Sequence, residues 1–165
     1  MSLLFLVNQH AWNRISNIDT IPKEYMDDPD FQSKMKTVAI GDAIGCEKIY
    51  VNIDYIKPGA KSTKYHSHSK QEEFFLIMSG NGILRIDGEK MSIKPGDVIS
   101  KPAGKNIAHQ FTNTGLEILQ ILDIGTRETD DVATYPDENA IFIRNKKLVF
   151  NSNDHIKDWT SEPNI

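Results

Sequence analysis

His66 and His68 stand two residues apart, just upstream of an apolar run, in the segment PGAKSTKYHSHSKQEEFFLIMSG that spans residues 58–80. On an extended strand, side chains at i and i+2 leave on one face, so the two imidazoles can present nitrogens to one point while Ser67 points away. Glu73 follows five residues after His68 and opens the run FFLIM. The intervening Ser69-Lys70-Gln71-Glu72 is polar enough to turn the chain and return a carboxylate to the histidines. Two imidazoles and one carboxylate make a familiar ligand set for a divalent metal.

A second stretch adds to them. Residues 95–113, PGDVISKPAGKNIAHQFTN, carry turn signals at Pro95-Gly96 and Pro102-Ala103-Gly104. His109 then heads an alternating run in which His109, Phe111 and Asn113 share a face. Three histidines and one glutamate would fill four positions of an octahedral ion and leave two open for water, a bidentate substrate or dioxygen.

These residues carry a family resemblance. The first stretch resembles the first cupin motif, a glycine followed by His-x-His, a glutamate and a further glycine, met by Gly59, His66, His68, Glu73 and Gly80. The second resembles the other cupin motif, met by Gly96, Pro102, Gly104, His109 and Asn113. Carried over position by position, His66, His68, Glu73 and His109 match the family's metal ligands. Two spacings depart from the usual pattern: six residues separate Gly59 from His66 where five are common, and four separate Gly104 from His109 where two are common. The second departure implies a longer turn before His109. The later combination of GTR, an acidic pair and YPD is similar to a group of small bacterial cupins whose chemistry is largely unassigned.

Short strands must position this set. Lys48–Ile56 alternates as a half-buried strand, with Ile49, Val51, Ile53 and Tyr55 on one face and Tyr50, Asn52, Asp54 and Ile56 on the other. Phe74–Met78, apolar throughout, reads as a strand covered on both faces, and Gly80-Asn81-Gly82 as a hairpin turn. Ile83–Ile86 and Met91–Ile93 flank a second hairpin at Asp87-Gly88-Glu89, followed by strands at Asp97–Ser100, His109–Asn113 and Glu117–Ile124. Regular Gly and Pro punctuation argues for an all-β fold, and the resemblance makes it a double-stranded β-helix, the jelly-roll barrel of the cupins. The expected organisation is an N-terminal arm and edge strand over residues 1–40, a cupin barrel over 41–125 and a C-terminal extension over 126–165 packing on the barrel. Residues 8–37 read as an irregular arm with a possible helical turn at Phe31–Met35, Ala140–Arg144 as a short strand, and Lys146-Lys147 as solvated hairpin surface. Trp159 is expected to dock on the barrel or on a second subunit.

At 165 residues and 39% hydrophobic content the chain can bury a core without disulfides. Its single cysteine, Cys46, forms no internal bridge, and with no export signal this points to a reducing, cytoplasmic setting. The start holds five consecutive apolar residues, Leu3–Val7, too few for a membrane span. Net charge of −4 without a basic cluster gives no footprint for nucleic acid or an anionic bilayer. The expected partner is a small molecule. Leu3–Val7 is expected to pair with a sheet edge, in cis or by exchange in a homodimer.

Catalytic residues are less legible. By parity Ser62, Lys64, Gln120, Tyr50, Asn52 and Tyr55 are candidates for proton transfer, Glu72 faces solvent, Phe111 walls the pocket or fills core, and His10 and His155 lie in the terminal arms. Two functions from different classes fit. The first is a metal-dependent enzyme, with manganese, iron, nickel or zinc, performing oxygenation, isomerisation or decarboxylation of a small oxygen-rich molecule such as a sugar derivative or a hydroxy or keto acid. The second is a binding module for a carbohydrate-like or carboxylate ligand, favoured if acid–base groups are scarce in the pocket. A metal-free dimer scaffold is the third reading.

Overall fold

The computed structural model describes residues 15–21, 23–28, 33–156 and 160–163. The expected edge strand at Leu3–Val7, His10, Phe31 and Trp159 lie outside them.

Thirteen strands run through the described residues, all their pairings antiparallel. Among the described residues a 3-10 turn at Ile18–Thr20 precedes β1 (Lys23–Asp28) and β2 (Ser33–Ala39), and the chain then turns through the short helix α1 (Ile40–Ala43) into β3 (Ile49–Ile56), β4 (Ser67–His68) and β5 (Glu73–Ser79). Next come β6 (Gly82–Ile86), β7 (Glu89–Ile93), β8 (Val98–Lys101), β9 (His109–Asn113) and β10 (Leu119–Thr126). The C-terminal part adds β11 (Val132–Tyr135), β12 (Ala140–Ile143) and β13 (Leu148–Asn151). A six-stranded sheet has the order β1-β2-β3-β10-β5-β8, a three-stranded sheet the order β7-β6-β9, and a four-stranded sheet the order β13-β12-β11-β4. This is the jelly-roll barrel that the sequence led us to expect.

Two sheets close over one apolar layer. Ile56, Phe75, Ile77, Leu119 and Ile121 come from the larger sheet and Leu84, Ile93 and Phe111 from the smaller, all buried. The layer fills one end of the barrel. On β3 and β10 the same inward faces change character along the strand: Ile56 and Ile121 give way to polar Asp54, Asn52, Tyr50 and Asp123 at the other end. Period-two alternation puts these residues on the interior regardless of polarity.

The structure corrects several sequence readings. Among the described residues the N-terminal region is not an irregular arm: β1 and β2 pair antiparallel, Ser33–Met35 belong to β2 and to no helical turn, and Met35 and Val38 are buried as β2 pairs with β3. The tertiary contact supplies the order that local propensity lacks. Phe74–Met78 is covered on one face only, with Phe75 and Ile77 buried while Phe74 and Met78 are 41% and 44% exposed. The segment Gly80-Asn81-Gly82 is not a hairpin turn, because β5 pairs with β10 and β8 whereas β6 pairs with β7 and β9. It is a crossing between sheets. Gly80 lies at φ +77, and a Cβ there would stand 2.6 Å from the Ile118 carbonyl oxygen. Only a residue without a side chain passes so close to that backbone. The turn at Asp87-Gly88 is the hairpin expected, with φ of 48 and 82. Among the described residues no helix is long and apolar enough to cross a membrane.

Candidate metal centre

The ladder of the barrel brings the histidines together. His66 and His109 are opposite residues in an antiparallel bridge, with His109 N–H donating to the His66 carbonyl at 2.9 Å and His66 N–H returning a bond at 3.2 Å. His68 lies on β4, which pairs with β11 of the C-terminal region. After the polar turn at residues 69–72, Glu73 begins β5 as anticipated, while Glu72 is exposed. The result is a buried group in which ligand atoms of His66, His68 and Glu73 all lie within 4.8 Å of one another. The longer turn before His109, signalled by its spacing, holds Gly104 at φ 69 and Asn106 at φ 56.

Each of the two adjacent histidines is oriented from behind. His66 Nδ1 lies 2.7 Å from the Lys64 carbonyl oxygen, and His68 Nδ1 lies 2.6 Å from Asp131 Oδ2. Both partners accept, so Nδ1 carries the proton and Nε2 keeps its lone pair. Asp131 is fully buried and held by donors of the 69–71 turn, with Lys70 N–H at 2.9 Å and Gln71 N–H at 3.3 Å from Oδ1. This carboxylate–imidazole pairing is the arrangement that fixes ring and tautomer in metal sites. Two unprotonated Nε2 atoms converging with a carboxylate form a donor set suited to a divalent cation.

Electrostatics agree with that reading. Burial, reinforced by His68 and Lys101, pushes His66 down to about 4. His68 is also lowered by burial, against the pull of Glu73 and Asp131. A site of two ordinary histidines would lose metal affinity roughly several-hundredfold between pH 7 and pH 5, because each would be largely protonated at the lower pH. With His66 neutral down to about 4, only His68 is left to protonate, and it too is lowered, so the loss over this range should stay below the roughly 25-fold of one ordinary histidine. Competition titrations with a chromogenic chelator at both pH values check it, and a several-hundredfold loss would refute it.

Glu73 is gripped on both oxygens. Its Oε1 accepts from Gln71 Nε2 at 2.9 Å and Tyr50 OH at 3.0 Å, and its Oε2 is paired with the Lys101 ammonium. Burial pushes the Glu73 carboxyl up, but Lys101 and His68 outweigh it and hold it below its ordinary value. Lys101, 1% exposed, also places Nζ 2.9 Å from His109 Nδ1. His109 packs its ring on His66 at 4.8 Å and on Phe75 at 5.0 Å, with Nδ1 3.9 Å from Glu73 Oε2. The structure therefore gathers three of the four anticipated residues into one group and sets the fourth beside it, against Lys101.

His66, His68, Glu73 and His109 line an open cavity of about 290 Å³ together with Tyr50, Asn52, Asp54 and Asp123. Tyr50 OH reaches both Glu73 Oε1 at 3.0 Å and Asp123 Oδ1 at 2.9 Å. One hydroxyl has one proton, so with Glu73 ionised the chain closes when Asp123 is itself protonated and donates to the Tyr50 oxygen. Burial raises Asp123 well above the usual carboxylate range, with Asp54 and Glu73 adding to it. Asp54 is pushed up to about 6 by burial, opposed by the Thr37 hydroxyl that donates to it at 2.7 Å. Gly125 makes this arrangement possible, since a Cβ there would meet the Tyr50 ring at 2.5 Å.

Of the parity candidates, Tyr50, Asn52 and Ser62 line the cavity, and Phe111 both walls it and fills core. Lys64, Tyr55 and Gln120 are not among its lining residues; on β10 it is Leu119, Ile121 and Asp123 that face inward. His155 is exposed and bonded to the Ser152 carbonyl. Sequence reasoning missed Asp54, Asp123, Lys101, Asp131 and Arg144. Asp54 shares parity with Tyr50 and Asn52, which was signal enough; nothing local marks Lys101 or Arg144.

The chain has similar counterparts among known proteins. The cupin domain profile matches residues 53–125. The chain is similar to a solved structure described as a candidate sugar phosphate isomerase of Acidithiobacillus ferrooxidans, at 32% identity and a TM-score of 0.71 over 74% of this chain and 80% of that one. It is also similar to a cupin-superfamily sugar phosphate isomerase of Silicibacter pomeroyi, at 26% identity and a TM-score of 0.74 over 88% of this chain and 96% of that one. Among curated proteins, auxin-binding protein 1 of Arabidopsis thaliana is 30% identical over 131 residues, 74% of this chain and 64% of that protein. The matches span between 52% and 64% of the length of the curated relatives.

Proposed function

The chain belongs to the cupin superfamily, and from that premise we propose that it is a metal-dependent enzyme that isomerises a small oxygen-rich substrate of the sugar phosphate or hydroxy-carbonyl kind. One observation carries the reading: proton-handling groups, the buried Asp54 and the half-buried Asp123 and Tyr50, line the cavity that His66, His68 and Glu73 also line. An isomerisation moves a proton between neighbouring carbons and needs an acid and a base in one site. The solved structures described as sugar phosphate isomerases support this choice among cupin chemistries.

His66, His68 and Glu73 would hold a first-row divalent ion, manganese, iron, nickel or zinc, and such an ion supplies Lewis-acid polarisation of a carbonyl and its neighbouring hydroxyl. The protein's own groups divide the proton work. Asp54, pushed up to about 6, is a carboxylate at neutral pH with a proton affinity suited to taking a proton from the carbon beside the carbonyl. Asp123 keeps its proton and can give it to the carbonyl oxygen, with Tyr50 linking it to Glu73. Two carboxyls at different proton affinities in one cavity are a recurrent basis for such a division.

The test is proton exchange. Metal-loaded protein incubated with aldose and ketose phosphates in deuterium oxide should place deuterium on the carbon next to the carbonyl, and Asp54→Asn should remove this exchange while leaving metal content unchanged. No exchange with any of them, alongside measurable ligand binding, would favour a second reading. That reading is a non-catalytic small-ligand module, supported by the similarity to auxin-binding protein 1.

A further inference from the structure

We propose that Lys101 keeps His109 out of the metal's coordination set and fixes it as a neutral Nε2–H donor to substrate, leaving His66, His68 and Glu73 as a three-ligand face. The proposal rests on the metal-enzyme reading above and departs from the four-ligand set that the motif resemblance implies.

Hydrogen-bond capacity around Lys101 decides the His109 tautomer. Lys101 is the register partner of Glu73 across β5 and β8, and its side chain is 2% exposed. Its ammonium has two neighbours, Glu73 Oε2 and, at 2.9 Å, His109 Nδ1. An ammonium has three donors and no acceptor, so Nδ1 must accept. The ring is 4% exposed, and an imidazolium there would set a second cation against the Lys101 ammonium at 2.9 Å. A neutral imidazole accepting at Nδ1 carries its proton on Nε2.

That is the opposite tautomer from its neighbours. His66 and His68 turn Nδ1 to acceptors, the Lys64 carbonyl and Asp131, and keep Nε2 bare. A ligating histidine typically donates its second N–H to an acceptor behind it. For His109 to bind a metal through Nε2, its proton would have to move to Nδ1 and face the Lys101 ammonium, leaving two donors opposed with no acceptor between them. The geometry agrees, since the group of converging ligand atoms comprises His66, His68 and Glu73.

Two consequences follow for the chemistry. An octahedral ion held by three protein ligands has three open positions, enough for a substrate chelating through two oxygens and one water. His109, which lines the same cavity, offers its Nε2–H to that substrate. A neutral imidazole is an effective donor to a carbonyl oxygen that gains charge in the reaction.

Two measurements test the proposal. In the metal-free protein, ring-nitrogen NMR should show His109 protonated at Nε2 and bare at Nδ1, with His66 and His68 reversed as internal controls and the His109 signal assigned by its loss in His109→Gln. The same tautomer in all three rings would overturn the proposal, and this readout does not depend on whether metal binds. In Mn(II)-loaded protein, pulsed EPR should count two coordinated imidazoles in the wild type and three in Lys101→Met, where the opposing ammonium is gone. Three imidazoles in the wild type would overturn the proposal; two in both proteins would remove Lys101 from its assigned role. Absence of Mn(II) binding, with the NMR result as expected, would count against the metal reading and leave the tautomer assignment standing.

Discussion

Glu73→Ala is expected to destabilise the metal-free protein by about 3–5 kcal/mol, the cost typical of removing one partner from a buried ion pair. Deleting a metal ligand ordinarily relieves repulsion in an empty site. Here the carboxylate has a resident counter-charge in Lys101, and with the Glu73 and Lys101 side chains 5% and 2% exposed, solvent screens the pair poorly. Without Glu73, the ammonium is left beside His109 with nothing negative in contact. The large penalty belongs to the orphaned charge, so it should shrink when the charge is removed as well. Glu73→Gln combined with Lys101→Met should therefore cost much less than the sum of the two single changes, a non-additivity expected of groups in direct contact. Urea denaturation of the chelator-treated proteins gives all four corners of the cycle. A loss below about 1 kcal/mol for Glu73→Ala, in the range of exposed pairs, would mean that Lys101 and Glu73 are not coupled in the folded protein. The pH dependence has a definite sign: the Glu73 carboxyl is held below its ordinary value, so its contribution is present at neutral pH and lost as pH falls through the folded-state value.

The barrel and its core were readable because alternation, turn residues and motif spacing all act locally. His66, His68 and Glu73 converge as their parity on neighbouring strands requires, and Asp87-Gly88 turns as such a pair should. What escaped were decisions made by distant chain. Nothing in KEYMDD announces β1 as a partner for β2, since the pairing surface that orders it is β3, further along the chain. Phe74 and Met78 look like core by composition, yet only alternate positions of β5 face inward. Gly80 and Gly82 read as turn formers, whereas they serve close passage of the chain past residues 112 and 118. Lys101 sits before Pro102 in what looks like an ordinary strand end, and its importance arises only when β5 and β8 pair. Asp131 belongs to the acidic pair noted in the sequence, but its target lies 63 residues away.

Asp131→Asn is expected to weaken metal binding 10- to 100-fold while leaving the fold intact, the usual consequence of altering the group behind a ligating histidine. The substitution is nearly isosteric, and the asparagine oxygen can still accept from Lys70 N–H and Gln71 N–H, which anchor the 69–71 turn. The changed atom is Oδ2. In the native chain it accepts from His68 Nδ1 at 2.6 Å, and Arg144 Nε stands 3.4 Å away. An amide nitrogen in that place can only donate, so His68 would have to accept at Nδ1 and carry its proton on Nε2, the atom that should face the ion. Asp131→Ala would differ, since it also strips the backbone donors of their acceptor and should lower stability together with affinity. Measured by chelator competition and by urea denaturation on the same samples, affinity and stability should thus separate in the asparagine variant and fall together in the alanine variant. Unchanged affinity in Asp131→Asn would mean that the C-terminal region braces the barrel without tuning His68. A loss confined to affinity would make residues 126–144 a working part of the metal centre, reached through a single carboxylate oxygen.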